Sequence, residues 1–123
     1  MEYTCENDSD NKILIIRLFG ELYSNEVALM DKEIRLKAQI LDYKIVYDFR
    51  ETINDMSITD AYYWFVADYN KTLFELKHIP VALITNREDV HFFNFFETTS
   101  INKGARIKIC EDEFSAFQWF ERL

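Results

Sequence analysis

Ile13-Leu14-Ile15-Ile16-Arg17-Leu18-Phe19 and Lys44-Ile45-Val46-Tyr47-Asp48-Phe49 decide the fold. Each is an almost unbroken apolar run rich in β-branched and aromatic residues, the pattern of a strand buried on both faces. Such strands belong to parallel sheets covered by helices. Gly20 is expected to end the first run and Ser24 to cap a helix, in which Val27, Met30, Ile34, Ala38 and Leu41 recur at helical spacing. Upstream, Met1 to Cys5 is a short strand candidate and polar Glu6 to Asn11 a turn, so an amino-terminal hairpin is predicted.

Downstream the alternation repeats. Polar Arg50 to Asp55 reads as a loop, and a second helix is expected from Ser57, with Ser57 and Asp60 at capping-box spacing. Its core stripe is Tyr62, Phe65, Val66, Tyr69, Leu73 and Leu76, with Trp64 pointing away and Tyr63, Ala67 and Phe74 on the flank. Ile79 to Thr85 is a buried strand that tolerates Pro80 near its start. Glu88 to Asn102 then reads as a helix with Phe92, Phe95, Phe96 and Thr99 on one side and Phe93 beside them. Gly104 stops it, Arg106 to Ile109 is a last strand, and Asp112 to Leu123 a last helix carrying Phe114, Phe117, Phe120 and Leu123. The order β-β-α-β-α-β-α-β-α predicts an α/β fold. Its sheet has about five mainly parallel strands, with an antiparallel edge strand from the hairpin.

At 123 residues the chain is sized for a single domain spanning 1–123, and 49% hydrophobic residues give it a core without disulfides or metals. Its net charge of −8 would repel nucleic acid and anionic membranes, and no Lys/Arg cluster offsets that. Met1 to Lys12 lacks the basic start and apolar stretch of a secretion signal, and no apolar run reaches membrane-spanning length, so no membrane span and a cytoplasmic location are expected. Cys5 and Cys110 lie far apart without a CxxC, and His78 and His91 have no histidine partner at helical spacing. Neither a disulfide framework nor a metal site is therefore expected.

The opening strand with Phe19-Gly20-Glu21-Leu22, the following helix and Val46-Tyr47-Asp48-Phe49 resemble the STAS domain. The likeness extends to SpoIIAA-like (STAS/SEC14-like) proteins in Phe95-Phe96-Glu97, Gly104-Ala105-Arg106-Ile107 and Ala116-Phe117-Gln118-Trp119-Phe120, so it covers nearly the whole chain. It implies a SpoIIAA-like fold and a non-catalytic regulatory module that binds a protein partner. It also places Ser57 where sporulation-type members carry a phosphorylated serine. The surroundings differ: Met56-Ser57-Ile58-Thr59 lacks the preceding acid, second serine and glycine of that context.

Ser57 is thus the candidate phosphoacceptor or a plain helix cap. No nucleophile motif, phosphate loop or metal set points to catalysis, and no cofactor is implied. Asp48, Asp60 and Glu97 could meet as an acidic rim at the carboxyl ends of the strands, although solvated charges explain them as well. The aromatic content, 16% of residues, exceeds what one helix face each requires, so Trp64, Phe74, Phe93 and Trp119 are candidates for a ligand or partner surface. The SEC14-like side of the resemblance suggests an alternative, a small apolar or lipid-like ligand between aromatic helices. Leu29, Leu36 and Ile40, opposite the core stripe of the first helix, form a candidate homodimer seam.

Overall fold

The computed structural model describes residues 1–59 and 75–123. Five strands, β1 (Glu2–Asp8), β2 (Ile13–Leu22), β3 (Lys44–Asn54), β4 (Val81–Ile84) and β5 (Ile107–Cys110), lie in one sheet in sequence order. β1 runs antiparallel to β2, and every other neighbouring pair is parallel. Among the described residues the helices are α1 (Ser24–Leu41), α2 (Val90–Asn102) and α3 (Glu113–Glu121). The expected hairpin and mainly parallel sheet with an antiparallel edge strand are present.

Alternation along the strands sorts the core into two layers. Leu14, Ile16, Leu18, Ile45, Tyr47, Val81, Leu83 and Ile107 point to one face, where they meet Val27, Met30, Ile34 and Ala38 of α1 and Phe92, Phe93 and Phe96 of α2. Ile13, Ile15, Val46, Ala82, Ile84 and Cys110 point to the other, against Ala116 and Phe120 of α3. The layers follow from chirality. Sequential parallel strands joined by right-handed crossovers keep α1 and α2 on one face, and the chain reaches the other after β5. α3 lies antiparallel to the strands, with Glu113 at 2.7 Å from Arg17 and Phe120 under the Lys44 ammonium at 5.8 Å.

Several boundaries move. Gly20 does not end β2: it sits inside the strand at φ 88°, which a glycine adopts at little cost, and pairing continues to Leu22. Arg50 to Asn54 is not a loop but the end of β3, with Glu51 to Asn54 paired to Phe19 to Leu22 of β2. A bulge makes this possible. Arg17 pairs with Asp48 but Phe19 with Glu51, so β3 carries one extra residue there. That residue reverses the facing of the rest of β3. Thr52 turns inward, its hydroxyl donating to the Phe49 carbonyl at 2.7 Å, and Ile53 turns out. Polar residues thereby occupy a strand that a loop reading assigned to solvent.

Three helix readings also shift. Ser24 is the first residue of α1, preceded by Tyr23, and makes no side-chain cap. α2 buries Phe92, Phe93, Phe96 and Ser100, leaving Phe95 and Thr99 half-buried, so its inner face is rotated from the expected one. α3 buries Ala116 and Phe120 while Phe114 and Leu123 are exposed, because a helix lying flat on a sheet needs a narrow stripe. The expected second helix falls largely on residues 60–74, outside the described residues.

Two substitutions separate core packing from backbone geometry. Ile16→Ala, at a fully buried position in the interior strand β2, should cost about 3 kcal/mol in urea unfolding. Gly20→Ala meets no atom within 4 Å, so its cost should be the positive φ alone, about 1 kcal/mol.

Candidate functional site

The carboxyl end of the sheet is where α/β folds hold their ligands, and here β2 and β3 outrun β4, whose Ile84 pairs with Asp48. The projecting ribbon, Phe19–Leu22 against Glu51–Asn54, leads directly into Ser57. Two bonds fix that turn: the Asp55 amide donates to the Leu22 carbonyl at 3.3 Å and the Met56 amide to Asn54 Oδ1 at 2.9 Å. Met56 is buried and anchors the turn in the core, while Ser57 is exposed and immediately precedes helical Ile58 and Thr59. Ile53 is 62% exposed and Ile58 52%, and Tyr23, at the start of α1 beside Leu22, is also exposed. The serine therefore lies among outward apolar side chains.

The expected acidic rim does not assemble. Asp48 lies on the α3 side of the sheet, following Val46, and is clasped by Arg50, whose Nε and Nη2 donate to its two oxygens at 3.0 and 2.8 Å. Burial opposes its ionisation, and the Arg50 side-chain and backbone hydrogen bonds outweigh that, holding the carboxyl below its ordinary value. Glu97 is on α2, on the other face, where it accepts from the Ile109 amide at 2.6 Å. Asp60 lies outside the described residues. Both described carboxylates are structural: one closes a bulged strand and the other pins α2 to the edge strand.

Of the aromatic candidates, Phe93 is 2% exposed, so it is not on a partner surface but in the core, its ring tilted against that of Phe49 with centroids 4.8 Å apart. Trp119 is half-buried against Phe120. Trp64 and Phe74 lie outside the described residues. On α1, Leu29, Leu36 and Ile40 are 66%, 39% and 84% exposed, facing away from the sheet. His78 and His91 are both exposed, and no group of three or more His, Cys, Asp or Glu side chains gathers among the described residues.

Sequence reasoning passed over a charged cluster in the core. Asp31 and Arg35 of α1 are buried, and Arg35 Nε donates to both Asp31 oxygens at 2.9 Å. The buried Tyr47 hydroxyl of β3 donates to Asp31 Oδ1 at 2.5 Å, and Arg35 Nη1 reaches the Leu76 carbonyl at 3.5 Å. The signal was present: an i,i+4 Asp/Arg pair inside the Val27 to Ala38 core stripe has no water to face. With Val27, Phe49, Met56 and Phe93 these groups line a cavity of about 20 Å³, room for about one water molecule.

Burial first, then the Asp31 charge, hold the Tyr47 phenol well above its ordinary 10.0, with Arg35 opposing. Because the folded value is the higher one, the protonated phenol favours the fold. That contribution is complete below the unfolded value and is lost as pH rises beyond it. Among known proteins, no family model matches the sequence and no curated protein matches it. The structure is similar to that of an uncharacterized DUF3478-family protein with a SpoIIAA-like fold from Shewanella loihica PV-4. The TM-score is 0.55 at 17% identity, over 96% of this chain and 91% of that one. The chain thus has a SpoIIAA-like fold.

Asp31→Asn should destabilise the protein by about 3–5 kcal/mol, since it strands the buried Arg35 charge. Tyr47→Phe should cost about 1–2 kcal/mol at neutral pH. In stability curves followed by denaturant unfolding, it should also remove part of the wild-type loss above about pH 10.

Proposed function

We propose that this SpoIIAA-like domain is a non-catalytic binding module that engages a protein partner through the carboxyl end of its sheet, around Ser57. The observation that carries the reading is the exposure of Ile53 and Ile58 on either side of that serine. Isolated apolar side chains are ordinary on a surface, but these sit on a fixed ribbon and turn at the end of the sheet where α/β folds bind. Phosphorylation supplies a switch for such a surface. A phosphate on Ser57, just before helical Ile58 and Thr59, would place about two charges among the apolar contacts.

The SEC14-like alternative, an apolar or lipid-like ligand, has weaker support. Pockets for such ligands measure roughly 300–1,000 Å³, whereas the described cavity lined by Phe93 holds about 20 Å³.

Capture from the protein's own cells tests the partner reading. Proteins retained by the wild-type chain should be lost on an Ile53→Asp/Ile58→Asp variant and kept by one altered at Ile40, on the outer side of α1. Equal capture by all three would contradict the proposal. Mass spectrometry of the recovered chain should find phosphate on Ser57, and Ser57→Glu should change the retained set; a bare serine would remove the switch while leaving the docking surface.

A further inference from the structure

We infer that the outer face of α1 is the seam of an antiparallel homodimer, paired with the same helix of a second copy. At about 100° per residue, Leu29, Leu36 and Ile40 fall within about 40° of one another, directly opposite the buried stripe of Val27, Ile34 and Ala38. Ile40, at 84% exposed, and Leu29, at 66%, contribute nothing to the core of their own chain. With Glu33 the spacing 29-33-36-40 is the four-three-four rhythm of a helix-pairing seam, interrupted by one charge.

That charge and its neighbours choose the occupant and its direction. Glu33 and Lys37 share one flank of the seam and Lys32 lies on the other. In a parallel pair, opposite flanks meet, which sets Lys32 against Lys37 of the second copy. In an antiparallel pair, each flank meets its own copy. A two-fold axis passing between Ile34 and Arg35 then puts Leu29 opposite Ile40 and Glu33 beside Lys37, each contact made twice. A second copy of this helix thus satisfies the apolar stripe and the charge within it. The seam is a single helix face, so the dimer belongs to the small, weak class of interfaces. The seam is separate from the ribbon around Ser57, so each surface can fail its test without the other.

Sedimentation equilibrium of the intact chain from about 1 μM to 1 mM tests the inference. The wild type should pass from monomer to dimer within that range. Ile40→Lys, harmless to the fold at so exposed a position, should remain monomeric with an unchanged circular dichroism spectrum. Glu33→Lys and Lys37→Glu should each weaken association about tenfold, and the double exchange should restore it. A wild type monomeric throughout, or a dimer indifferent to Ile40→Lys, would overturn the seam. Tighter association by Lys37→Glu alone would overturn the antiparallel direction, since that change relieves the repulsion of the parallel pair.

Discussion

Everything in this structure hangs on the pairing of β2 with β3, two strands that must bury both of their faces at once. Leu14, Ile16, Ile45 and Tyr47 serve the layer beneath α1 and α2, while Ile13, Ile15 and Val46 serve the layer beneath α3. A slip of one residue would exchange the two sets, sending Ile side chains toward the wrong helices and turning the Tyr47 hydroxyl away from Asp31. The register is therefore held from both sides. The same pair, carried past a bulge, makes the ribbon that positions Ser57. Scaffold and candidate surface are one continuous piece of sheet.

The buried Asp31-Arg35-Tyr47 cluster does for α1 what register does for the strands. Apolar side chains let a helix rotate on a sheet with modest repacking, whereas a buried carboxylate that needs both Arg35 and Tyr47 tolerates one rotation. With α1 so fixed, Leu29, Leu36 and Ile40 are held outward rather than shared with the core. The charged cluster inside the molecule and the apolar stripe outside it are two consequences of one helix orientation. The proposed α1 seam rests on that pairing of polarity inside with apolar surface outside.

Much of the fold was legible in the sequence because its signals are periodic. The two apolar runs, the hairpin and the alternation of strands with helices gave the SpoIIAA-like arrangement, and the outer stripe of α1 was placed correctly by angle alone. What failed was local. Arg50 to Asn54 looked like a loop because a two-stranded ribbon projecting from a sheet is largely wet and can be polar. Gly20 looked like a terminator, although a glycine can equally carry a strand through a positive φ. The acidic rim failed because strand parity put Asp48 on the α3 side while Glu97 rides on α2 over the other face, which carboxylate counting cannot reveal. The Asp31-Arg35 pair was overlooked because charges on a helix are ordinarily assigned to its wet side. Ser57 was legible as a position, and its apolar setting depended on the bulge.

Amide hydrogen exchange resolved by residue tests most directly the claim that β2 and β3 form the axis of the molecule. The amides of Leu14 to Leu18 and Ile45 to Asp48 should exchange through global unfolding alone and share its free energy. Those of β1, exposed along nearly its whole length, should exchange through smaller local openings, and the Glu51–Asn54 ribbon should fall between. Protection in β1 equal to that in β2, or early exchange at Ile45 to Asp48, would contradict an account in which this pair carries both layers and the surface beyond them.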